Sequence, residues 1–487
     1  MEPVRGGRRH VPGVPDRAAR GPRVPGGLPR VPREGRGGDG GRRPAGGVDV
    51  SRRPHPHDRQ VPRGGRAVSL RPERVELEGG GRVLFLANPA SPFVSFHGSL
   101  PAGVAAERPG EEGVAEFLSR LLLSGTKRRT TRQLAESLEG LGATLEFSVA
   151  EDLLAFRGRA TRPVAGKVLG IAADCLAGPT VPAKEVERVR TEILTDLRRE
   201  RDSTRDRAER ELLSLVFAAR HPYGRDPKGE EDSVKSIEPR GLLELHARCY
   251  GREGLILALA GDVDAGFVRG AVAKAMQRLP SGTTAGPAAP PEPAPPATRF
   301  IDLPHKSQAD IALGLPAISR THSDYYALNL ANLLFGVIGM YGRLGATVRE
   351  EKGLAYYSLS RFRALRSGGH WSISAGVNPA RLEDALAAIS AELDRLGSEP
   401  FSDDEIEGGK LNQVGGLAVN LERNAEVAGA LHGIEFHGLG LDYLERFPAI
   451  TNGVGRDAIL GAAERYIRKR DCSLVVVGPI GDRSFAL

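Results

Sequence analysis

Apolar positions alternate with polar ones in short runs along residues 69–487, and these runs are separated by longer stretches with helical spacing. Val75-Glu76-Leu77 and Arg82-Val83-Leu84-Phe85-Leu86-Ala87-Asn88 read as strands joined by a Gly79-Gly80-Gly81 turn. Phe93 to Leu100 alternates and reads as a third strand. Helices are expected over Gly113 to Leu123, Thr131 to Leu141, 163–178 and 182–219, the last long, charged and rich in Arg and Glu. Leu145 to Val149 and Leu153 to Arg159 pair as a hairpin, and Leu255 to Ala260 is a continuous apolar run of the kind a buried strand needs.

The pattern repeats. A strand running into Leu100-Pro101-Ala102 is matched by one running into Leu315-Pro316-Ala317, and an apolar helix follows each. Each half closes on a strand followed by Gly-Asp, at Gly261-Asp262 and Gly481-Asp482. Near-equal offsets at successive landmarks point to a duplicated α+β domain. Residues 281–298 are a Pro/Ala linker, extended and semi-rigid, and divide the body into 69–280 and 299–487.

Composition changes the picture mainly at the N-terminus. The positive excess behind the formal charge of +7 sits mostly in residues 1–66, a low-complexity Arg/Gly/Pro stretch without hydrophobic periodicity. Two readings stand for it: a basic disordered tail that touches nucleic acid, or GC-rich sequence read from a wrong start or frame. The remaining chain is nearly charge-balanced, which argues against a nucleic-acid or membrane surface on the body. No stretch reaches the length of a membrane helix, and no apolar signal core follows the N-terminal arginines, which favours a cytoplasmic chain. Cys175, Cys249 and Cys472 are far apart in apolar contexts and read as buried free thiols. His246 with Cys249, and His432 with His437, read as packing residues. No P-loop, dinucleotide fingerprint or nucleophile elbow is present.

Several phrases occur in a telling order: Gly113-Val114-Ala115, Phe117-Leu118 and Gly125-Thr126, then Leu141-Gly142-Ala143, His221-Pro222-Tyr223-Gly224 and Ala260-Gly261-Asp262-Val263. Together with the duplicated plan they resemble the insulinase/pitrilysin family of zinc peptidases, which includes the mitochondrial processing peptidases. The resemblance covers essentially all of 69–487. It implies two duplicated metalloprotease-like α/β sandwich domains forming one half of a clam-shell.

Active members of that family carry His-x-x-Glu-His on the first helix. Residues at i and i+4 share one helix face and reach one zinc, while the Glu activates the bound water. Here the frame puts Glu116 and Arg120 at the histidine positions and Ser119 at the glutamate position, and the downstream carboxylate ligand falls on Asp196. Arg120 is a permanent cation without a lone pair, and Ser119 is no base near neutral pH. Glu116 and Arg120 are instead expected to form an i,i+4 ion pair worth about 0.2–0.5 kcal/mol.

In the second half, Gly339 to Leu344 leads into Val348-Arg349-Glu350-Glu351-Lys352-Gly353-Leu354-Ala355-Tyr356. This is similar to the family's Arg/Tyr element, which reaches the scissile segment of the substrate. The resemblance gives Arg349 and Tyr356 those roles, since a guanidinium and a phenol can both donate to peptide carbonyls and a developing oxyanion. From residue chemistry alone, Arg349 pairs with Glu350 or Glu351 and Tyr356 merely opens a strand.

The resemblance therefore implies a non-catalytic subunit with no catalytic residue and no cofactor of its own. It would pair with a zinc-bearing homologous subunit as a heterodimer and bind peptide substrate, without nucleic acid or membrane. The alternatives are a structural or scaffolding subunit, an active zinc metalloendopeptidase with atypical ligands, and a nucleic-acid binder acting through the tail. The odd N-terminus further suggests the second half of a longer, interrupted protein.

Overall fold

The eleven strands among the described residues follow one plan used twice. The computed structural model describes residues 71–485 except 218–220, 283–285, 287 and 293. The stretch 1–66 and the start of the body near Ser69 lie outside the described residues. In the first half, β1 (Glu73–Glu76), β2 (Arg82–Ala87), β3 (Phe93–Leu100), β4 (Thr144–Val149), β5 (Leu154–Thr161) and β6 (Ile256–Gly261) form a sheet of order β1-β2-β6-β3-β5-β4. In the second, β7 (Thr298–Asp302), β8 (Ala309–Ala317), β9 (Ala355–Ala364), β10 (Gly369–Val377) and β11 (Ser473–Gly478) run in the order β7-β11-β8-β10-β9. Strand for strand, the second order repeats β2-β6-β3-β5-β4. The agreement extends to direction, because β2–β6 and β7–β11 are the parallel pairs and the other neighbours are antiparallel. The duplication expected from sequence is thus present in the hydrogen-bond ladders, and the α+β class holds.

The central strands are apolar on both faces because each sheet is covered twice. On β6, Leu257 and Leu259 enter the main core of the first half, whereas Ala258 and Ala260 face a separate cluster with Val427, Leu431 and Ile434. The alanines leave room for a helix to lie close. That helix, Asn424–His437, comes from the second half. The converse holds for the other sheet. Leu474 and Val476 of β11 face the second half's own helices, while Val475 and Val477 meet Ala208, Leu212 and Val216.

Those three residues belong to the first half. Instead of one helix over 182–219, the chain forms α4 (Ala183–Asp202) and α5 (Thr204–Val216). It breaks at Ser203, which takes an extended conformation (φ −82°, ψ 120°) and accepts the N–H of Asp206 through its side chain. Such a capping serine offers the backbone an alternative to continuing the helix. Each half therefore lends a helix to the back of the other's sheet. The 281–298 linker separates the sheets along the chain but not the packing, and its described residues dock on the body: Ala288 accepts from Ser367 Oγ and Ala289 from the ring of His221.

Three helices of the first half complete the frame needed below: α1 (Val114–Leu121), α2 (Thr131–Gly140) and α3 (Arg162–Ala177), all packed on the same side of the first sheet as α4. Cys175 and Cys249 are buried free thiols, but Cys472 is only partly covered, with its Sγ 3.5 Å from the carbonyl of Arg468.

Candidate functional site

Helix α1 is held rigidly at its start. Gly113 precedes it with φ +93°, and a Cβ there would lie 2.6 Å from the carbonyl oxygen of Lys228, so only glycine fits. The first free amides are capped from a distance: Glu107 Oε1 accepts from Gly113 N–H at 3.1 Å and Ala115 N–H at 2.9 Å. Burial pushes the Glu107 carboxyl up to about 8. No sequence pattern marked Glu107, which lies in the loop ahead of the helix. Phe117, Leu118 and Leu121 fill the core side of α1. The remaining face points Glu116, Ser119 and Arg120 toward α4.

There the guanidinium of Arg120 bridges two carboxylates. Its Nε donates to Glu116 Oε1 at 2.8 Å, one turn back, and its Nη1 donates to Asp196 Oδ2 at 2.8 Å on α4. Ser119 Oγ donates to the carbonyl of Glu116 at 2.8 Å. Burial alone would lower the Arg120 pKa, but the hydrogen bonds it donates to Asp196 and Glu116 outweigh it and hold the group further into its cationic range. A second cation, Lys228, acts on the same carboxylate field and pairs with Glu200 at 2.9 Å. The expected Glu116–Arg120 pair forms, and Asp196 joins it.

The family's zinc has no donor set here. Of the positions that would ligate it, one carries a guanidinium, and that cation lies between the two carboxylates that remain. Among the described residues, no group of three His, Cys, Asp or Glu side chains is arranged to hold a metal ion.

Arg349 departs from its plain structural reading, whereas Tyr356 does stand at the opening of a strand, β9 (Ala355–Ala364). Arg349 lies on the irregular helical turn Ala346–Glu351. It forms no ion pair with Glu350 or Glu351, and its Nη1 is buried with no hydrogen-bond partner among the described residues. An unpaired buried guanidinium nitrogen is costly and calls for an acceptor. Tyr356 lies on edge strand β9 and is 83% exposed. It sits in a bulge: Ala355 pairs with Val377 and Tyr357 with Gly376, leaving Tyr356 without a partner across the ladder. Bulges re-aim side chains, commonly beside functional sites.

The neighbouring Tyr357, which sequence reasoning passed over, fixes that bulge. Its hydroxyl donates to the buried Asp310, which also accepts from Thr204 Oγ at the start of α5 and from Gln308 Nε2. Burial, then the Asp310 bond, keep the phenol protonated. Gly376 makes room for the ring, since a Cβ there would lie 2.5 Å from Tyr357 Cε1. The only hint of this in the sequence was the Tyr-Tyr doublet.

The histidines pack. His246 bonds the carbonyl of Leu176, and His432 bonds Ser99 Oγ while stacking on His97 with ring centroids 4.4 Å apart.

Comparison with known proteins agrees with this architecture. Residues 82–224 match the family described as Insulinase (Peptidase family M16), and residues 236–412 match the Peptidase M16 inactive domain. An uncharacterized zinc protease of Streptomyces coelicolor is 26% identical over 424 residues, covering 84% of this chain and 90% of that protein. One from Bacillus subtilis is 23% identical, covering 72% and 84%. The peptidase M16 inactive domain from Pseudomonas fluorescens superposes with a TM-score of 0.79 at 24% identity, over 84% of this chain and 98% of that one. A protease from Helicobacter pylori gives 0.78 at 20% identity, over 83% and 99%. The description "inactive domain" falls on 236–412 and so does not bear on α1.

Proposed function

Because the chain belongs to the insulinase-like peptidase family M16, we propose that it is a pseudo-peptidase subunit that binds peptide for a zinc-bearing homologue rather than cleaving it alone. The observation that carries this reading is Arg120, whose guanidinium bridges Glu116 and Asp196 where an active relative would bind metal. An internal cation satisfies the same carboxylates without Lewis acidity and without a water to activate.

What the chain retains is the other side of the reaction. Arg349 brings a guanidinium with an unused buried donor, and Tyr356 brings an exposed phenol on a bulged edge strand. In a heterodimer closing over a peptide, these groups donate to carbonyls of the scissile segment while the partner chain supplies zinc and base. Asp310 and Tyr357 act as positioning residues, tying the Tyr356 strand to the start of α5. The scaffolding alternative keeps the same fold and gives Arg349 and Tyr356 no task. The atypical metalloendopeptidase alternative requires a donor set that Arg120 displaces.

The test is reconstitution. The purified chain alone is expected to hold no stoichiometric zinc and to cleave no peptide, and mixing it with a zinc-bearing homologue is expected to raise that partner's peptidase activity. Tightly bound zinc at one per chain, or full activity of the chain by itself, would overturn the proposal.

A further inference from the structure

A second site lies on the outer surface of the first half, between α2, α3 and the helical segment 265–276. A cavity of about 580 Å³ opens there, floored by Leu141, Ile171 and Ala275. That size lies within the range of small-molecule pockets. Gly166 and Gly170 on α3 let the opposing segment approach, since a Cβ on Gly166 would lie 3.2 Å from that of Ala271.

Its charge is lopsided. The buried carboxylate of Asp174 is shared by three guanidinium groups, from Arg128 at 3.3 Å, Arg129 at 2.6 Å and Arg278 at 2.9 Å. One carboxylate cannot neutralise three cations, so the wall of the cavity keeps an excess of positive charge. Lys167 and Lys274 stand at its rim, both exposed and without an ion pair among the described residues. The acid that lines it, Glu136, is engaged by Arg132 at 2.6 Å. Nothing in peptide hydrolysis at a shared chamber uses this group.

We propose that this cavity binds a small amphipathic organic anion, with a carboxylate or phosphate head held by Arg129, Arg278, Lys167 and Lys274 and a compact apolar body against Leu141, Ile171 and Ala275. The head takes charge-assisted hydrogen bonds from guanidinium groups already fixed by Asp174, so little side-chain freedom is lost on binding. The apolar floor selects against inorganic anions.

Anilinonaphthalene sulfonate titrated into the full chain tests this. The dye is expected to bind saturably at one per chain, to be displaced by octanoate, and to be displaced by neither octanol nor inorganic phosphate at equal concentration. Lys167→Glu with Lys274→Glu is expected to weaken it at least about tenfold by reversing the rim charge. Gly140→Trp fills the mouth, where a Cβ meets nothing within 4 Å, and is expected to abolish binding with every cation intact. Unfolding midpoints are expected to stay at the wild-type value in both variants. Unchanged binding in both, displacement by octanol as effective as by octanoate, or no saturable binding in the wild-type chain would each overturn the site.

Discussion

Arg120 on α1 donates through Nη1 to Oδ2 of Asp196, 76 residues further along on α4, at a distance of 2.8 Å. The resemblance to the zinc-peptidase pattern would make these two positions ligands of one metal; in this chain they are hydrogen-bonded to each other and tie α1 to α4. The pair is partly buried, with side-chain exposures of 26% and 35%. Charge-assisted hydrogen bonds of this kind contribute more than an exposed ion pair. Arg120→Ala is expected to destabilise the chain by about 1–3 kcal/mol, since it removes the cation that both carboxylates are hydrogen-bonded to. Urea unfolding of Arg120→Ala and Asp196→Asn would measure this. A loss within error of zero for Arg120→Ala would mean the bridge holds nothing.

The converse experiment rebuilds the motif. Glu116→His, Ser119→Glu and Arg120→His together restore His-x-x-Glu-His on a helix whose start is already fixed by Gly113 and Glu107. With Asp196 as third ligand, the triple variant is expected to bind zinc near one per chain, measured by metal analysis after dialysis. If it folds as the parent does yet stays metal-free, α1 and α4 do not present these positions to a common point.

Much of this site was legible in the sequence, and the reason is spacing. Residues 116 and 120 are one turn apart on α1, so the ion pair between them follows from helix geometry alone. Asp196 became visible only through the family frame. The bulge at Tyr356 could not be read, because it depends on β10 supplying one residue fewer than β9. Nor could the helix exchange. Ala208, Leu212 and Val216 recur at four-residue intervals and announce a buried face, as Val427, Leu431 and Ile434 nearly do, but periodicity does not say which sheet a face will cover. The Ser203 break was within reach, since Ser-Thr-Arg-Asp is a plausible cap that the surrounding charge pattern obscured.

The exchange has its own consequence. Leu431 is fully buried against Ala258 and Ala260 of the first half, and Leu212 is buried against Ala312 and Val475 of the second. A protease site placed in 281–298 is expected to give two fragments that stay together through gel filtration. Leu431→Ala and Leu212→Ala are each expected to cost about 2–5 kcal/mol, as deletions from a packed core do. Fragments that separate and remain folded would show that each sheet is stable with one covered face.

Arg349 and Tyr356 separate the substrate-binding reading from the scaffolding one. Tyr356→Phe removes a hydroxyl that has no hydrogen-bond partner among the described residues, from an 83% exposed side chain, so no change in stability is expected. Arg349→Ala removes a guanidinium whose Nη1 has no hydrogen-bond partner among the described residues, so the fold is expected to hold as well. In the reconstituted pair, either change is expected to lower kcat/KM by roughly 10²-fold if the group donates to the developing oxyanion. Arg349→Lys keeps the charge but not the fork, and is expected to recover only part of the loss. Full activity in both Arg349→Ala and Tyr356→Phe would leave scaffolding as the better account.

Acid should unfold this protein through its histidines. Burial lowers His97 and His437 to about 4, and His370 and His432 to about 3; nearby cations assist at His97, His437 and His370, and His97 assists at His432. Above the ordinary value of 6.5 these rings are neutral in both folded and unfolded chains and favour neither. As pH falls below it, the unfolded chain takes up protons that the folded chain refuses, so stability drops progressively toward pH 4. Glu107 works the other way. Its carboxyl is raised to about 8, so its contribution is complete in acid and fades as pH rises from 4.5 toward that value. These four depressed histidines outweigh Glu107 below neutrality, and urea unfolding is expected to show stability falling between pH 6.5 and 4 by on the order of several kcal/mol. His432→Asn is expected to flatten that slope by about one proton, and an unchanged slope would mean that the His97–His432 stack accepts a proton without opening.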